Sequence, residues 1–331
     1  MAGSETALPL ALTMGEPAGI GPDITGPAWR ELRGEDSFFL IGDPALLPPD
    51  LPVEVIADPA QAPGVMAHAL PVLARDFGAP RSPGRANPAH APHVIAAIAE
   101  AVALSQAGRA AGLVTNPINK KALQAGGGFA FPGHTEYLGH LAGVGDMVMM
   151  LACEALKVVP ATIHIPLSQV PAAFTPARLR AVIQVTAAAM RRDFGLEAPR
   201  IAVAGLNPHA GEEGAMGDEE QAWMIPLLDE LRAGGLSVAG PLPADTMFHP
   251  AARARYDVAI CAYHDQALIP IKTLDFAQGV NVTLGLPFVR TSPDHGTAYD
   301  IAGTDAADPA SLIAALRMAR RMARTRARLG A

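Results

Sequence analysis

DVAICAYHDQALIPIK, Asp257–Lys272, begins as a buried strand and then breaks that pattern. Val258 to Ala262 form a short apolar run. Tyr263, His264, Asp265 and Gln266 follow at once, before the chain turns apolar again. A strand core has no use for such a cluster. In an open α/β sheet, however, ligands bind just beyond the carboxyl ends of the strands, where polar side chains of this kind belong.

Further runs of strand length lie at Leu8–Thr13, Phe38–Ile41, Gly112–Thr115, Met147–Ala152, Ala161–Ile165 and Ile201–Gly205. Helical periods occupy His93–Ala107, Pro176–Phe194, Glu219–Arg232 and Pro309–Leu329. Thr175 before Pro176 is a helix N-cap with proline in the first turn, and Gly195 suits the helix's end. The alternation predicts an α/β protein with a mainly parallel sheet. The Pro- and Ala-rich stretch Pro80–Pro92 reads as a flexible excursion.

Composition agrees. The chain has 331 residues, half of them hydrophobic and 17% charged, enough for a large core in two lobes. Its net charge of -7 disfavours nucleic acid or an anionic membrane as a partner, since both need a basic face. No apolar run reaches the roughly 18 residues of a membrane span. The N-terminus carries an acidic residue where an export signal needs positive charge. Two cysteines, Cys153 and Cys261, sit in apolar runs and do not make a disulfide framework, which fits a reducing cytoplasm. The six arginines between Arg317 and Arg328 read as a solvated face near a helix C-terminus.

Three histidines fall at or near the ends of separate apolar runs: His164 within ATIHIP, His209 after IAVAGLNP, and His264. Any one alone reads as a hydrogen-bonded structural residue. Together they match the ligand count of an open catalytic metal site, with Asp265 and Glu212 available to orient the rings. Lys272, Asn281 and Arg290 supply two cations and an amide suited to a phosphate or carboxylate. His134 and Thr135, after Gly133, stand where a helix N-terminus can offer N–H groups to an anion, or simply cap a helix.

GEPAGIGPDI (Gly15–Ile24), PGHTE, TIHIPL, GLNPHAGEEGAMGDEE, PADT, AYHDQALIPIK and VNVTLGLPFVRTSPDHGTAYDIAG resemble the 4-hydroxythreonine-4-phosphate dehydrogenases of pyridoxal phosphate synthesis, from about Leu10 to the final helix. The resemblance implies two α/β/α lobes with a cleft between them, isocitrate/isopropylmalate dehydrogenase-like, with residues 1–130 and 285–331 in the first lobe and 131–284 in the second. It implies that His164, His209 and His264 bind one divalent metal, zinc first and magnesium or cobalt next, at a homodimer interface with ligands from both subunits. It assigns the substrate to His134, Thr135, Lys272, Asn281 and Arg290. No GxGxxG follows a strand. DHGTAYDIAG instead resembles the nucleotide loop of isocitrate and isopropylmalate dehydrogenases, which points NAD or NADP to His295, Gly296, Thr297 and Asp300.

The implied reaction is NAD-dependent oxidation of the C3 hydroxyl of 4-phosphohydroxy-L-threonine. The resulting β-keto acid then loses CO2 to give 3-amino-2-oxopropyl phosphate. Metal-bound water, Lys272 and Asp245 are the candidate proton acceptors. Relatives of this type also oxidise 4-phosphothreonate, phosphoerythronate or a dicarboxylated cyclohexadiene diol. Read without the resemblance, the histidines equally suit a metal-dependent hydrolase or lyase.

Overall fold

The computed structural model describes residues 8–330; the N-terminal stretch at 1–7, which includes the acidic residue noted above, lies outside them. Among the described residues, twelve strands run along the chain: β1 (Leu10–Thr13), β2 (Phe38–Gly42), β3 (Val53–Val55), β4 (Leu70–Ala74), β5 (Leu113–Thr115), β6 (Val148–Ala152), β7 (Lys157–Pro160), β8 (Ile201–Ala204), β9 (Val238–Leu242), β10 (Val258–Cys261), β11 (Val280–Leu284) and β12 (Arg290–Pro293). They divide between two compact units. No helix among the described residues is long and apolar enough to cross a membrane.

The first unit holds residues 8–145 with Leu286–Arg324. Its strands lie in the order β3-β4-β2-β1-β5-β12, and the neighbouring pairs are all parallel. Every residue of β1, β2 and β5 is buried, which is why these runs are apolar without alternation. The helices Gly21–Leu32, Ala91–Gln106 and Ala310–Gly330 cover this sheet; the last buries Leu312, Ala315, Leu316, Ala319 and Met322 at helical spacing. Trp29 fills the core and satisfies its one polar atom by donating Nε1–H to the Met66 carbonyl at 3.0 Å.

The second unit holds Asp146–Gly285 and the chain from Thr325. Its strands run in the order β11-β6-β7-β10-β8-β9, with β7, β10, β8 and β9 parallel and β6 antiparallel to both of its neighbours. Parallel β7, β10 and β8 therefore end side by side. The helix Pro176–Arg192 opens as its sequence predicts: the Thr175 hydroxyl accepts from Arg178 N at 3.2 Å, with Pro176 in the first turn.

Four local expectations change. The strand expected at Ala161–Ile165 ends earlier, at Pro160, because after Ala161 and Thr162 bond to the β10 edge His164 takes φ 53°, which no strand accommodates. Pro80–Pro92 is fastened rather than loose: Arg81 pairs with Asp23 at 2.9 Å, Gly84 N donates to Ala18 O at 2.8 Å, and His90 is buried. Residues 131–145 belong with the first unit, since the helix His134–Ala142 packs on Ala91–Gln106, and the last residues of the terminal helix join the second through Arg326 and Asp193 at 2.6 Å. The terminal arginines are not all solvated. Arg320 is 2% exposed and donates to the Leu8 and Ser37 carbonyls.

Candidate active site

In the second unit, three strand ends are stitched together. Beyond β7, the Thr162 N–H and hydroxyl both donate to the Ala262 carbonyl beyond β10. Gln266 spans the next gap. Its Oε1 accepts from Ala262 N at 2.7 Å and its Nε2 donates to Gly205 O, just after β8, at 2.9 Å. This bracing carries the residue after each strand toward one edge, as a site of this class requires.

His164 and His264 meet there, with ring centroids 5.7 Å apart and planes inclined by 44°. They line a pocket of about 330 Å³ with Thr162, Ile165, Leu167 and Tyr263. His264 opens the helix His264–Leu274, and its Nδ1 lies 2.7 Å from Asp265 Oδ1. A carboxylate only accepts, so Nδ1 carries the proton and Nε2 is the nitrogen available to a ligand. Asp265 is thus placed where a ring-orienting carboxylate would stand. Glu212 makes no hydrogen bond to any of the three rings among the described residues.

His209 does not line that pocket. Among the described residues, no three His, Cys, Asp or Glu side chains gather into a metal-binding group; of the three histidines, His164 and His264 are the two whose rings meet. His209 opens a run of six residues with positive φ, from His209 at 53° to Gly214 at 98°. Left-handed backbone costs roughly 1–2 kcal/mol per non-glycine residue, so the surrounding contacts must over-determine it. Glu220, fully buried, does this by accepting from Asn207 N at 2.8 Å and Asn207 Nδ2 at 2.9 Å. Gly211 is required beside it: a Cβ at that position would stand 2.7 Å from Glu220 Oε2. His164, at φ 53°, is strained in the same sense. Strain of this kind concentrates at functional sites.

The remaining predicted residues of this unit are distributed. Lys272 lies on the helix His264–Leu274 with Nζ 5.2 Å from the Phe276 ring centroid. Asn281, on β11, has a buried Oδ1 without a hydrogen-bond partner among the described residues. Asp245 lines a shallow pocket with Asp265, Gln266 and Ile269.

A second polar cluster sits in the first unit. His134 is the first residue of its helix, and its Nε2 is buried without a hydrogen-bond partner among the described residues. Burial, then the charges of Arg290 and Lys120, hold its pKa well below the ordinary 6.5, so the ring is neutral at physiological pH. Arg290 is 3% exposed, and burial pushes its pKa down to about 10, which leaves it cationic. Its Nη2 donates to Thr115 Oγ1 at 2.7 Å. Thr135 occupies the second helical position. A neutral histidine, a buried guanidinium and a helix N-terminus together suit an anionic ligand.

The loop after β12, with His295, Gly296, Thr297 and Asp300, packs onto the GEPAGIG segment. Ile20 N donates to Thr297 O at 3.0 Å, and a Cβ on Gly19 would stand 2.7 Å from that oxygen. His295 keeps a buried Nε2 without a partner among the described residues. Below the loop lies Glu16, whose carboxyl is raised by burial and which accepts from Ala18 N at 3.0 Å. Sequence reading assigned no role to Glu16, Thr115, Lys120 or Gln266, though their motifs, GEPAG, TNPINKK and AYHDQ, were in plain view.

Buried parallel strands that end in histidines, one of them oriented by a carboxylate, define an α/β enzyme of small-molecule metabolism. Comparison with known proteins makes this specific. The chain belongs to the family of the pyridoxal phosphate biosynthetic protein PdxA, whose sequence profile matches residues 36–319. It is 61% identical over 326 residues to the 4-hydroxythreonine-4-phosphate dehydrogenase of Paracoccus denitrificans (strain Pd 1222), covering 97% of this chain and 99% of that protein. Among solved structures it matches the 4-hydroxythreonine-4-phosphate dehydrogenase of Klebsiella pneumoniae with a TM-score of 0.86 at 39% identity, covering 96% and 99% of the two chains. A terephthalate 1,2-cis-dihydrodiol dehydrogenase of Burkholderia xenovorans LB400 is more distant, with a TM-score of 0.66 at 25% identity over 95% of this chain and 98% of that one.

Proposed function

We propose that the chain is an NAD-dependent, divalent-metal-dependent 4-hydroxythreonine-4-phosphate dehydrogenase. It oxidises the C3 hydroxyl of 4-phosphohydroxy-L-threonine, and the β-keto acid formed loses CO2 to leave 3-amino-2-oxopropyl phosphate, within pyridoxal 5'-phosphate synthesis. Family membership supports the reaction. The observation that carries the metal site is the facing pair His164 and His264, one of them fixed by Asp265.

Two neutral imidazole nitrogens suit a borderline divalent ion such as zinc, and magnesium or cobalt are the other candidates. Bound there, the ion would act as a Lewis acid toward the substrate hydroxyl, while NAD accepts the hydride from C3. The protein's own part is positional. His134, Thr135, Asn281, Lys272 and Arg290 bind the substrate's polar groups, with Arg290 and Lys272 taking its anions. Lys272 or Asp245 receives the hydroxyl proton. His295, Gly296, Thr297 and Asp300 hold the nucleotide.

A homodimer completes this reading. His164 and His264 of one copy take His209 of the partner subunit as third ligand, a reading that fits the lack of a three-residue metal group among the described residues of one chain. Apolar side chains in the same unit are exposed as a contact surface would have them: Phe276 at 79%, Leu167 at 68% and Ile269 at 63%. Both thiols are free and buried, consistent with a cytoplasmic enzyme.

The test is NAD+ reduction by the purified protein with 4-phosphohydroxy-L-threonine, with added zinc or magnesium and again after chelation. NADH formation that needs metal, and that is lost in His164→Ala and His264→Ala, supports the proposal. Turnover only of 4-phosphothreonate, phosphoerythronate or a cyclohexadiene diol dicarboxylate would keep the site and replace the substrate. No turnover of any alcohol would end the dehydrogenase reading.

A further inference from the structure

The hydroxyl of Thr115 has a partner that its place in the fold does not require. Thr115 ends β5, between β1 and β12, and is fully buried. In the parallel register Arg290 stands opposite Leu113, and side chains two residues apart share a face. Thr115 therefore lies on the same face as Arg290 and one step further along, where the guanidinium reaches. The bond between them is short, at 2.7 Å, and joins residues 175 apart in sequence.

An ordinary core position here would take valine, which has the same shape and β-propensity without a polar atom to satisfy. A threonine hydroxyl buried at this point makes sense through what it holds. Its χ1 is stiff because the side chain is β-branched, so the oxygen is a fixed acceptor. Arginine, in contrast, has several rotatable bonds and recognises anions by the direction of a planar fork. Fixing one Nη sets the plane of that fork. Arg290 also acts electrostatically on His134, so the oriented cation belongs to the same polar cluster as that ring, whose Nε2 is buried.

We propose that Thr115 is a positioning residue for substrate binding: its hydroxyl holds the Arg290 guanidinium in the orientation that grips an anionic group of the substrate. The inference rests on the proposed role of Arg290 as a substrate contact. Thr115 touches no substrate itself.

The test is steady-state kinetics on the full-length, metal-loaded protein carrying Thr115→Val, Thr115→Ser, Arg290→Lys, or Thr115→Val with Arg290→Lys. Thr115→Val should raise KM for the phosphorylated substrate about tenfold, since a hydrogen bond to a charged group is lost. KM for NAD+ should stay within about twofold, Thr115→Ser should restore the substrate KM, and the valine change should add little once Arg290 is lysine. If Thr115→Val does not fold, Thr115→Ala makes the same comparison without added bulk. Equal movement of both KM values, or additive effects in the double variant, would reduce Thr115 to a packing residue and overturn the proposal. An unchanged KM in Thr115→Val beside a raised KM in Arg290→Lys would overturn it while leaving Arg290 a substrate contact. An unchanged substrate KM in Arg290→Lys would remove that contact, and this inference with it.

Discussion

Replacing Asp265 by asparagine tests how the half-site in the second unit is held. Asp265 accepts from His264 Nδ1 at 2.7 Å, within the range of charge-assisted bonds. Asparagine keeps the shape and one acceptor oxygen but removes the charge, and its amide can turn an N–H toward the ring and favour the wrong tautomer. Loss of such a ring-orienting carboxylate typically weakens metal binding about 10- to 100-fold. The lower end applies here, because the two side chains are 37% and 69% exposed and solvent screens much of the interaction. The expected change in zinc affinity is therefore about tenfold, or about 1.4 kcal/mol. Competition with a chromophoric chelator would measure it on the purified protein, and activity should return when metal is raised to saturation. An unchanged zinc affinity would refute the ring-orienting role, and lost activity that excess metal cannot rescue would place Asp265 in the chemistry instead.

The His134 ring is held neutral by burial with a pKa below 6.5, so its unfolded form takes up a proton first as pH falls. The stability this contributes is complete above about pH 6.5 and is lost below it, by up to about 1.4 kcal/mol per pH unit. His134→Gln should flatten the stability-versus-pH curve on the acid side, measured by urea unfolding between pH 5 and 7; an identical slope would show that His134 titrates normally. Gly211→Ala places a Cβ 2.7 Å from Glu220 Oε2 at a φ of 80°. It should cost about 2 kcal/mol and lower the calorimetric Tm by about 5 °C; an unchanged Tm would mean that the left-handed loop carrying His209 is not held by Glu220.

Much of this was legible because it is local. The β10 run Val258–Cys261 is apolar without interruption, and the polar residues after it could only be a strand end. Other strands hid behind their residues: β9 contains Gly240 and Pro241, and β12 begins with Arg290 and ends with Pro293. The helix His264–Leu274 was masked by Pro270 within it. His164 was placed inside a strand because ATIHIP alternates like one; only its left-handed backbone and the bonds from Thr162 to Ala262 show that the ladder has ended. The Thr115–Arg290 bond was invisible for a different reason, since it follows from strand order, and no periodicity in sequence encodes which strands become neighbours.

The central claim is that the His164–His264 pair is part of a metal centre that one copy of the chain leaves incomplete. Mixing two inactive variants, His209→Ala and His264→Ala, after subunit exchange tests it most directly. If His209 comes from the partner subunit, each mixed dimer regains one intact site, and random pairing predicts NAD+ reduction at about a quarter of the wild-type rate. A mixture as silent as its parents, with mixed dimers demonstrated by mass spectrometry, would contradict the shared site.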